Sequence, residues 1–229
     1  MLKLFDLAGA DSARRFSPYC WRIRLALAHK GLEVETIPWH FTDKAALAPS
    51  GQGRVPVLVD GETWVADSWV IANYLEDHYP DRTSLFGGVQ GRALSRIYST
   101  LGDTLVGGVA PFVLFDVFEH IDVRDKAYFR ESREQRFGVP LEAVGGDRDA
   151  RLPGFRAGLA ALRLTLKTQP YFGGESPLYA DYALFGAFQW ARCISPYPLL
   201  EAGDPVAQWR GRILDAFGGL ARSSPGYDD

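Results

Sequence analysis

The chain has 229 residues, 47% of them apolar and 13% aromatic, with 25 Lys and Arg against 28 Asp and Glu. At roughly 100–200 residues per domain this suits one large domain or two small ones, and the aromatic content with a net charge of −3 excludes intrinsic disorder. The charge is evenly spread, 8 basic and 10 acidic side chains in residues 1–80 and 17 and 18 in the rest, so no basic footprint for a nucleic-acid partner exists.

Met1–Ala10 lacks the charged lead and apolar run of a signal peptide. Within it Leu2–Asp6 alternates apolar and polar residues and predicts a strand. Ser17 is a good N-cap and Pro18 suits the first helical position, so a helix is predicted from there to Lys30, stopped by Gly31. Glu33–Pro38 reads as a second strand. A weak helix at Thr42–Ala48 leads into the turn Pro49–Gly53. Val55–Asp60 and Thr63–Ala66 read as two strands of a hairpin turning at Asp60-Gly61. Asp67 or Ser68 then caps a helix to Tyr79. The order βαβαββα predicts a parallel pair with a right-handed crossover and an antiparallel edge.

Pro80–Gly91 is rich in turn residues and has no hydrophobic period, which marks a linker. The organisation read from this is a first domain over 1–80, a linker over 81–91 and a second domain over 92–229. After the linker the strand signal disappears. Arg92–Phe118 and Val123–Phe137 read as helices. Thr104–Phe115, the longest uncharged stretch, is 12 residues, short of the ~20 a membrane span needs, so a soluble protein with no membrane partner is expected. Phe155, Leu159, Leu162 and Leu166 fall on one face of a helix. Tyr179–Ala191 is apolar nearly all round, as a helix buried in a bundle is. Val206, Trp209, Ile213 and Phe217 mark a last amphipathic helix, and Ser223–Asp229 reads as a frayed tail.

Chemistry concentrates at three places. Ser17-Pro18-Tyr19-Cys20 follows a strand and opens a helix, so Ser17 sits beside unpaired helix N–H groups and the positive end of the dipole. That place stabilises an anion, a thiolate included. The spacing is that of a C-x-x-C redox site with Ser in the first position. Val55-Pro56 stands at a strand entry, where proline removes no needed donor and a cis bond would turn the Val55 backbone toward a ligand. Asp67-Ser68 opens a further helix and offers polar groups for the same ligand. Each has a plainer reading: Ser17 and Asp67 as simple caps, Val55-Pro56 as an ordinary strand start. Cys20 reads first as a small residue on the helix and Cys193 as a buried hydrophobe. His29, His40, His78 and His120 are isolated, so no metal site is expected.

Ser17–Arg22 (SPYCWR), Val55–Val59 (VPVLV), Asp67–Leu75 (DSWVIANYL) and Ala180–Tyr182 (ADY), in this order, resemble the soluble glutathione S-transferases over about residues 2–222. Within that family SPYCWR and DSWVIA look most like the bacterial β-etherases and the related etherase-like fungal transferases. The resemblance implies an α+β thioredoxin-like N-terminal domain that binds glutathione, followed by an all-α bundle that shapes the second pocket. It implies Ser17 as the donor to the glutathione sulfur, Val55 with Pro56 at the cysteinyl part, Asp67 and Ser68 at the γ-glutamyl end, and Arg54 at the glycyl carboxylate. Tyr19, Trp39 and Tyr98, together with Phe112 and Phe115, are candidates for the electrophile pocket. Glutathione is then a co-substrate, no metal is needed, and a cytoplasmic homodimer is expected.

One departure is visible. Relatives open the buried helix of the second domain with Ser/Thr-x-x-Asp. Here Asp181 is present but Leu178 holds the capping position, a loss of about 0.5–2 kcal/mol if uncompensated. Three functions follow from the reading. The first is transfer of glutathione to a hydrophobic, aromatic electrophile, with β-aryl ether cleavage as its sharpest form. The second is disulfide exchange through Cys20. The third is non-catalytic binding of aromatic ligands. A free thiol, with a pKa of about 8.5, is only a few per cent ionised at neutral pH, so the first needs a group that favours the thiolate, and Ser17 supplies one.

Overall fold

The structure, a computed structural model, describes residues 1–227. Its first third is a four-stranded sheet with helices. The strands are β1 (Leu2–Leu7), β2 (Val34–Trp39), β3 (Val57–Asp60) and β4 (Thr63–Ala66), in the order β2-β1-β3-β4. β1 and β2 are parallel, joined through α1 (Pro18–His29). β3 lies antiparallel to β1 and to β4. The two-residue loop of the hairpin requires the positive φ of Gly61, 59°. A 3-10 helix, Lys44–Ser50, follows β2, and α2 (Ser68–His78) follows β4. This is a thioredoxin-like arrangement.

The rest is helical. α3 (Val89–His120) and α8 (Tyr179–Ile194) pack along each other as its spine. Around them lie α4 (Val123–Phe137), α5 (Leu141–Val144), α6 (Arg148–Gly158), α7 (Ala160–Leu166) and α9 (Pro205–Gly219). α3 starts at Val89, so the last three residues of the sequence-read linker already form its first turn. By length and composition α3 could cross a membrane, with a mean hydropathy of 1.5 over its most apolar 18 residues. The count of uncharged residues undervalued that, because isolated charges such as Asp103 and Asp116 interrupt an otherwise apolar helix. Here 44% of that window is buried in a core that runs without a break from the sheet to α9.

The single helix read through Phe155–Leu166 is two, broken at Leu159. The tail is also less free than its composition implies. The Tyr227 N–H donates to the Arg192 carbonyl at 2.8 Å, and its hydroxyl lies 2.9 Å from His120 Nε2. Asp228 and Asp229 lie outside the described residues.

α8 carries the junction between sheet and bundle. Gly186 faces the start of α1, where a Cβ would collide with the Pro18 carbonyl oxygen. Any larger residue would push α8 away from the helix that begins at Ser17. Across the same junction Arg22 of α1, 1% exposed, reaches Asp103 of α3 at 2.8 Å. At the start of α8 the Leu178 side chain cannot cap, but Asp181 compensates. Its buried carboxylate accepts from the N–H groups of Leu178 (3.0 Å), Phe172 (2.8 Å) and Gly173 (2.9 Å), and from Trp209 Nε1 of α9 (2.8 Å). Half of a capping box has become a four-donor knot that ties a loop and α9 to the spine.

Candidate functional site

A cavity of about 680 Å³ opens between the sheet domain and α3 and α4. Ser17 stands on its wall at the N-terminus of α1. Its backbone is extended (φ −62°, ψ 124°), and its Oγ accepts from the Cys20 N–H at 3.2 Å. That bond does not use the hydroxyl proton, and the hydroxyl stands at the positive end of a 12-residue helix. Tyr19 also lines the cavity. Burial, then the charge of Asp103, pushes its phenol up, so it is protonated at neutral pH and can donate but not act as a base.

The Val55-Pro56 bond is cis. Val55 lines the cavity while Pro56 is buried behind it and leads into β3. Arg54 is exposed on the rim, near Lys44 of the 3-10 helix, whose Nζ donates to the Tyr128 hydroxyl at 3.2 Å. Trp39 lies on the wall with its Nε1 donating to the Asp43 carbonyl at 2.9 Å. The loop after β2 is held by the buried carboxylate of Asp125 on α4. It accepts from the N–H groups of Phe41 and Thr42, each at 3.0 Å, and from Thr42 Oγ1 at 2.7 Å. That staple sets Phe41 against Phe129, with ring centroids 5.5 Å apart.

Asp67 and Ser68 do not belong to the cavity wall. Asp67 caps α2, its carboxylate accepting from Trp69 N–H (2.9 Å) and Val70 N–H (3.1 Å). Its φ is 78°, a conformation that costs a non-glycine residue about 1–3 kcal/mol and that collects at ligand sites. Ser68 is buried, and its carbonyl accepts from the Tyr179 hydroxyl at 3.0 Å.

The opposite wall differs from the sequence expectation. α3 contributes the stripe Val106, Ala110, Leu114 and Val117. Phe112 and Phe115 sit further round that helix and line a separate hollow of about 180 Å³. Phe112 packs there on Phe155 and Tyr197, at 5.2 and 5.8 Å. Tyr98 packs on Phe172 at 5.7 Å and is not on the wall either. The aromatic lining comes instead from α4, through Tyr128, Phe129 and Phe137, with Trp190 of α8. The signal was present: in a mostly charged helix, residues 128, 129, 132, 133, 136 and 137 recur at i, i+1, i+4, i+5, i+8 and i+9, an aromatic and arginine stripe at helical period.

Cys20 is not on the wall. It is fully buried, and its Sγ faces the Phe5 carbonyl at 3.9 Å. Burial, with the charge of nearby Asp6, pushes its thiol well above the usual range. The redox expectation for Cys20 thus meets a shielded, protonated thiol pointing into the sheet, the reverse of a reactive one.

Fold and site together define a protein with a pocket between a thioredoxin-like and a helical domain. The profile of the glutathione S-transferase C-terminal domain matches residues 93–215, and that of the N-terminal domain matches residues 16–78. Glutathione S-transferase U28 of Arabidopsis thaliana is 24% identical over 192 residues, 82% of this chain and 72% of its own. Glutathione transferase GSTFuA2 from Phanerochaete chrysosporium aligns over 99% of both chains, with TM-score 0.76 and 26% identity. A glutathione S-transferase of Ceriporiopsis subvermispora, crystallised in complex with glutathione, shares the fold over 94% of this chain and 96% of its own, with TM-score 0.83 and 24% identity. This chain belongs to the glutathione S-transferase family.

Proposed function

We propose that the protein transfers glutathione to a hydrophobic, aromatic electrophile, with Ser17 as the group that favours the thiolate. The supporting observation is the Ser17 hydroxyl, spared its proton by accepting from Cys20 N–H, at a helix N-terminus on the wall of a cavity. The N-terminal domain, about residues 1–80, supplies the glutathione side. Val55 meets the cysteinyl part and Arg54 with Lys44 the glycyl carboxylate, while Asp67, off the wall but close enough for its charge to act on Tyr19, takes the γ-glutamyl end with Ser68. The bundle, about residues 92–229, supplies an aromatic acceptor wall. Activation is electrostatic: one hydroxyl donor and the helix dipole lower the thiol pKa, each unit being about 1.4 kcal/mol.

In the β-aryl ether form of the reaction, the thiolate attacks the carbon that bears the aryloxy group. The C–S bond forms as the C–O bond breaks, and the phenolate leaves and takes a proton from solvent. The aromatic lining by Tyr128, Phe129 and Trp190 supports an aromatic acceptor of this kind. A homodimer is supported by the exposed stripe Leu94, Ile97 and Leu101 on α3 and by exposed Val70 on α2. The two free, buried thiols accord with a reducing compartment such as the cytoplasm.

Mass spectrometry of products tests the reading. The protein is incubated with glutathione and a β-aryl ether, a halo-aromatic, or a glutathione mixed disulfide. A glutathionyl thioether that forms about tenfold or more slowly in Ser17→Ala is the expected result. Glutathione disulfide as the sole product overturns it. Sedimentation of Ile97→Glu checks the dimer, which that charge should break into monomers.

A further inference from the structure

The cavity carries more positive charge than glutathione can match. Four cationic side chains line it: Lys44 and Arg54 on the sheet side, Arg133 and Arg136 on α4. Among the described residues Asp103 is the one carboxylate on the wall, and it is engaged by Arg22 at 2.8 Å. In glutathione the γ-glutamyl ammonium and carboxylate cancel, which leaves the thiolate and the glycyl carboxylate. On the reading above, Ser17 takes the first and Arg54 with Lys44 the second. Arg133 and Arg136 then face the acceptor side with no anion to meet.

The acids of α4 do not meet them. Glu134 pairs with Arg130 at 3.0 Å, and Glu142 of α5 pairs with the same arginine at 2.7 Å. Glu131 is exposed and off the cavity wall. The Arg133 guanidinium is held in place by its neighbours. Its carbon lies 4.5 Å from the Phe129 ring centroid and 5.3 Å from that of Phe41, and Nη1 donates to Ser132 Oγ at 2.9 Å. Burial, opposed by Tyr128 and reinforced by Arg136, pushes its pKa below that of a free arginine, so its charge is held at a cost that a bound anion would offset. Arg136 is one turn on, 5.7 Å from the Phe137 centroid.

We propose that Arg133 and Arg136 form an anion subsite for the second substrate, which is an aromatic electrophile bearing a carboxylate away from the carbon that the thiolate attacks. The guanidinium fork pairs with a carboxylate through two parallel N–H···O bonds, and Phe41, Phe129 and Phe137 supply the surface for the ring beside it. This rests on the transferase reading for the place of glutathione, so the test separates binding from turnover.

Binding is measured by calorimetry with two glutathione conjugates, S-(2,4-dinitrophenyl)glutathione and its analogue with a ring carboxylate, S-(4-carboxy-2,6-dinitrophenyl)glutathione. The native protein should bind the carboxylate conjugate about tenfold or more tightly than the neutral one, a preference that shrinks as salt is added. The double variant Arg133→Gln, Arg136→Gln should lose that preference and keep its affinity for the neutral conjugate and for glutathione to within about twofold. Arg133→Lys, which keeps the charge but not the fork, should retain part of it. Equal binding of the two conjugates by the native protein overturns the proposal. So does a preference that survives in the double variant, or a matching loss of affinity for glutathione itself, which would assign the two arginines to its glycyl carboxylate. Turnover of 4-chloro-3,5-dinitrobenzoate against 1-chloro-2,4-dinitrobenzene, where the thiolate displaces chloride, is the second arm. Intact binding preference with turnover of neither acceptor refutes the transferase reading and upholds the subsite. Turnover of both without a binding preference does the reverse.

Discussion

Replacing Ser17 by alanine removes two interactions of different kinds. The first is the cap: Oγ accepts from Cys20 N–H at 3.2 Å, and losing such a cap costs about 0.5–2 kcal/mol of stability. The second, on the proposed reading, is the hydrogen bond from the hydroxyl to the glutathione thiolate. A hydrogen bond to a charged group contributes about 1.5–3 kcal/mol, and each pKa unit is about 1.4 kcal/mol, so the bound thiol should rise by roughly 1–2 units. The helix N-terminus remains, so ionisation is weakened and not abolished. At neutral pH the rate with a halo-aromatic acceptor should fall about tenfold to a hundredfold. The loss should shrink as pH rises, because the thiol then ionises without help. The assay is kcat/KM from about pH 6 to 9 for both proteins, with urea unfolding to measure the cap separately. The reasoning fails if the variant keeps the native inflection and loses less than about threefold. It also fails if the deficit is the same at every pH, since a thiolate donor must act through a pKa.

Three further outcomes are expected. Asp181→Asn should lower stability by about 3 kcal/mol or more, because the amide nitrogen would set its own donors against two of the four N–H groups that the carboxylate now satisfies; a urea midpoint close to native would refute the four-donor knot. Cys20→Ser should leave turnover within about threefold of native, and a thiol reagent should label Cys20 slowly in the folded protein, because the thiol is buried and protonated; fast labelling would restore the redox reading. Glu76 is pushed up by its partial burial, but Ser84, the Leu85 N–H (2.9 Å) and Lys30 (2.9 Å) outweigh that and hold its carboxyl below 4.5. A carboxylate depressed in the folded state stabilises above its unfolded pKa, and that contribution disappears as pH falls through the folded value. The stability gap between the native protein and Glu76→Gln should therefore be full at pH 7 and close below 4.5; a gap constant through acid would refute the ion pair's role.

The elements whose cause is local were legible in the residues alone. Ser17 with Pro18 starts a helix because a short hydroxyl caps N–H groups three residues on, and proline fits the first turn. Gly61 sits in a two-residue loop because it takes positive φ without strain. Asp67 caps α2 through the N–H groups just after it. These are contacts within about four residues, and residue type decides them. The ordered motifs SPYCWR, VPVLV and DSWVIANYL carried the family resemblance, since each lies within one short segment. What lines the acceptor wall was decided only by tertiary structure. Phe112 and Phe115 share a helix with Ala110 and Leu114, and periodicity assigns them faces without saying which face meets the cavity and which meets Phe155. The lining from α4 depends on Asp125 drawing the Phe41–Thr42 backbone across from the sheet domain, a contact between residues more than 80 apart. The burial of Cys20 and the compensation of Leu178 by Asp181 with Trp209 likewise rest on distant partners. A pocket is the space left where separate elements fail to touch, so its lining follows from how they dock, and docking is set by the sum of many contacts that no short stretch of sequence contains.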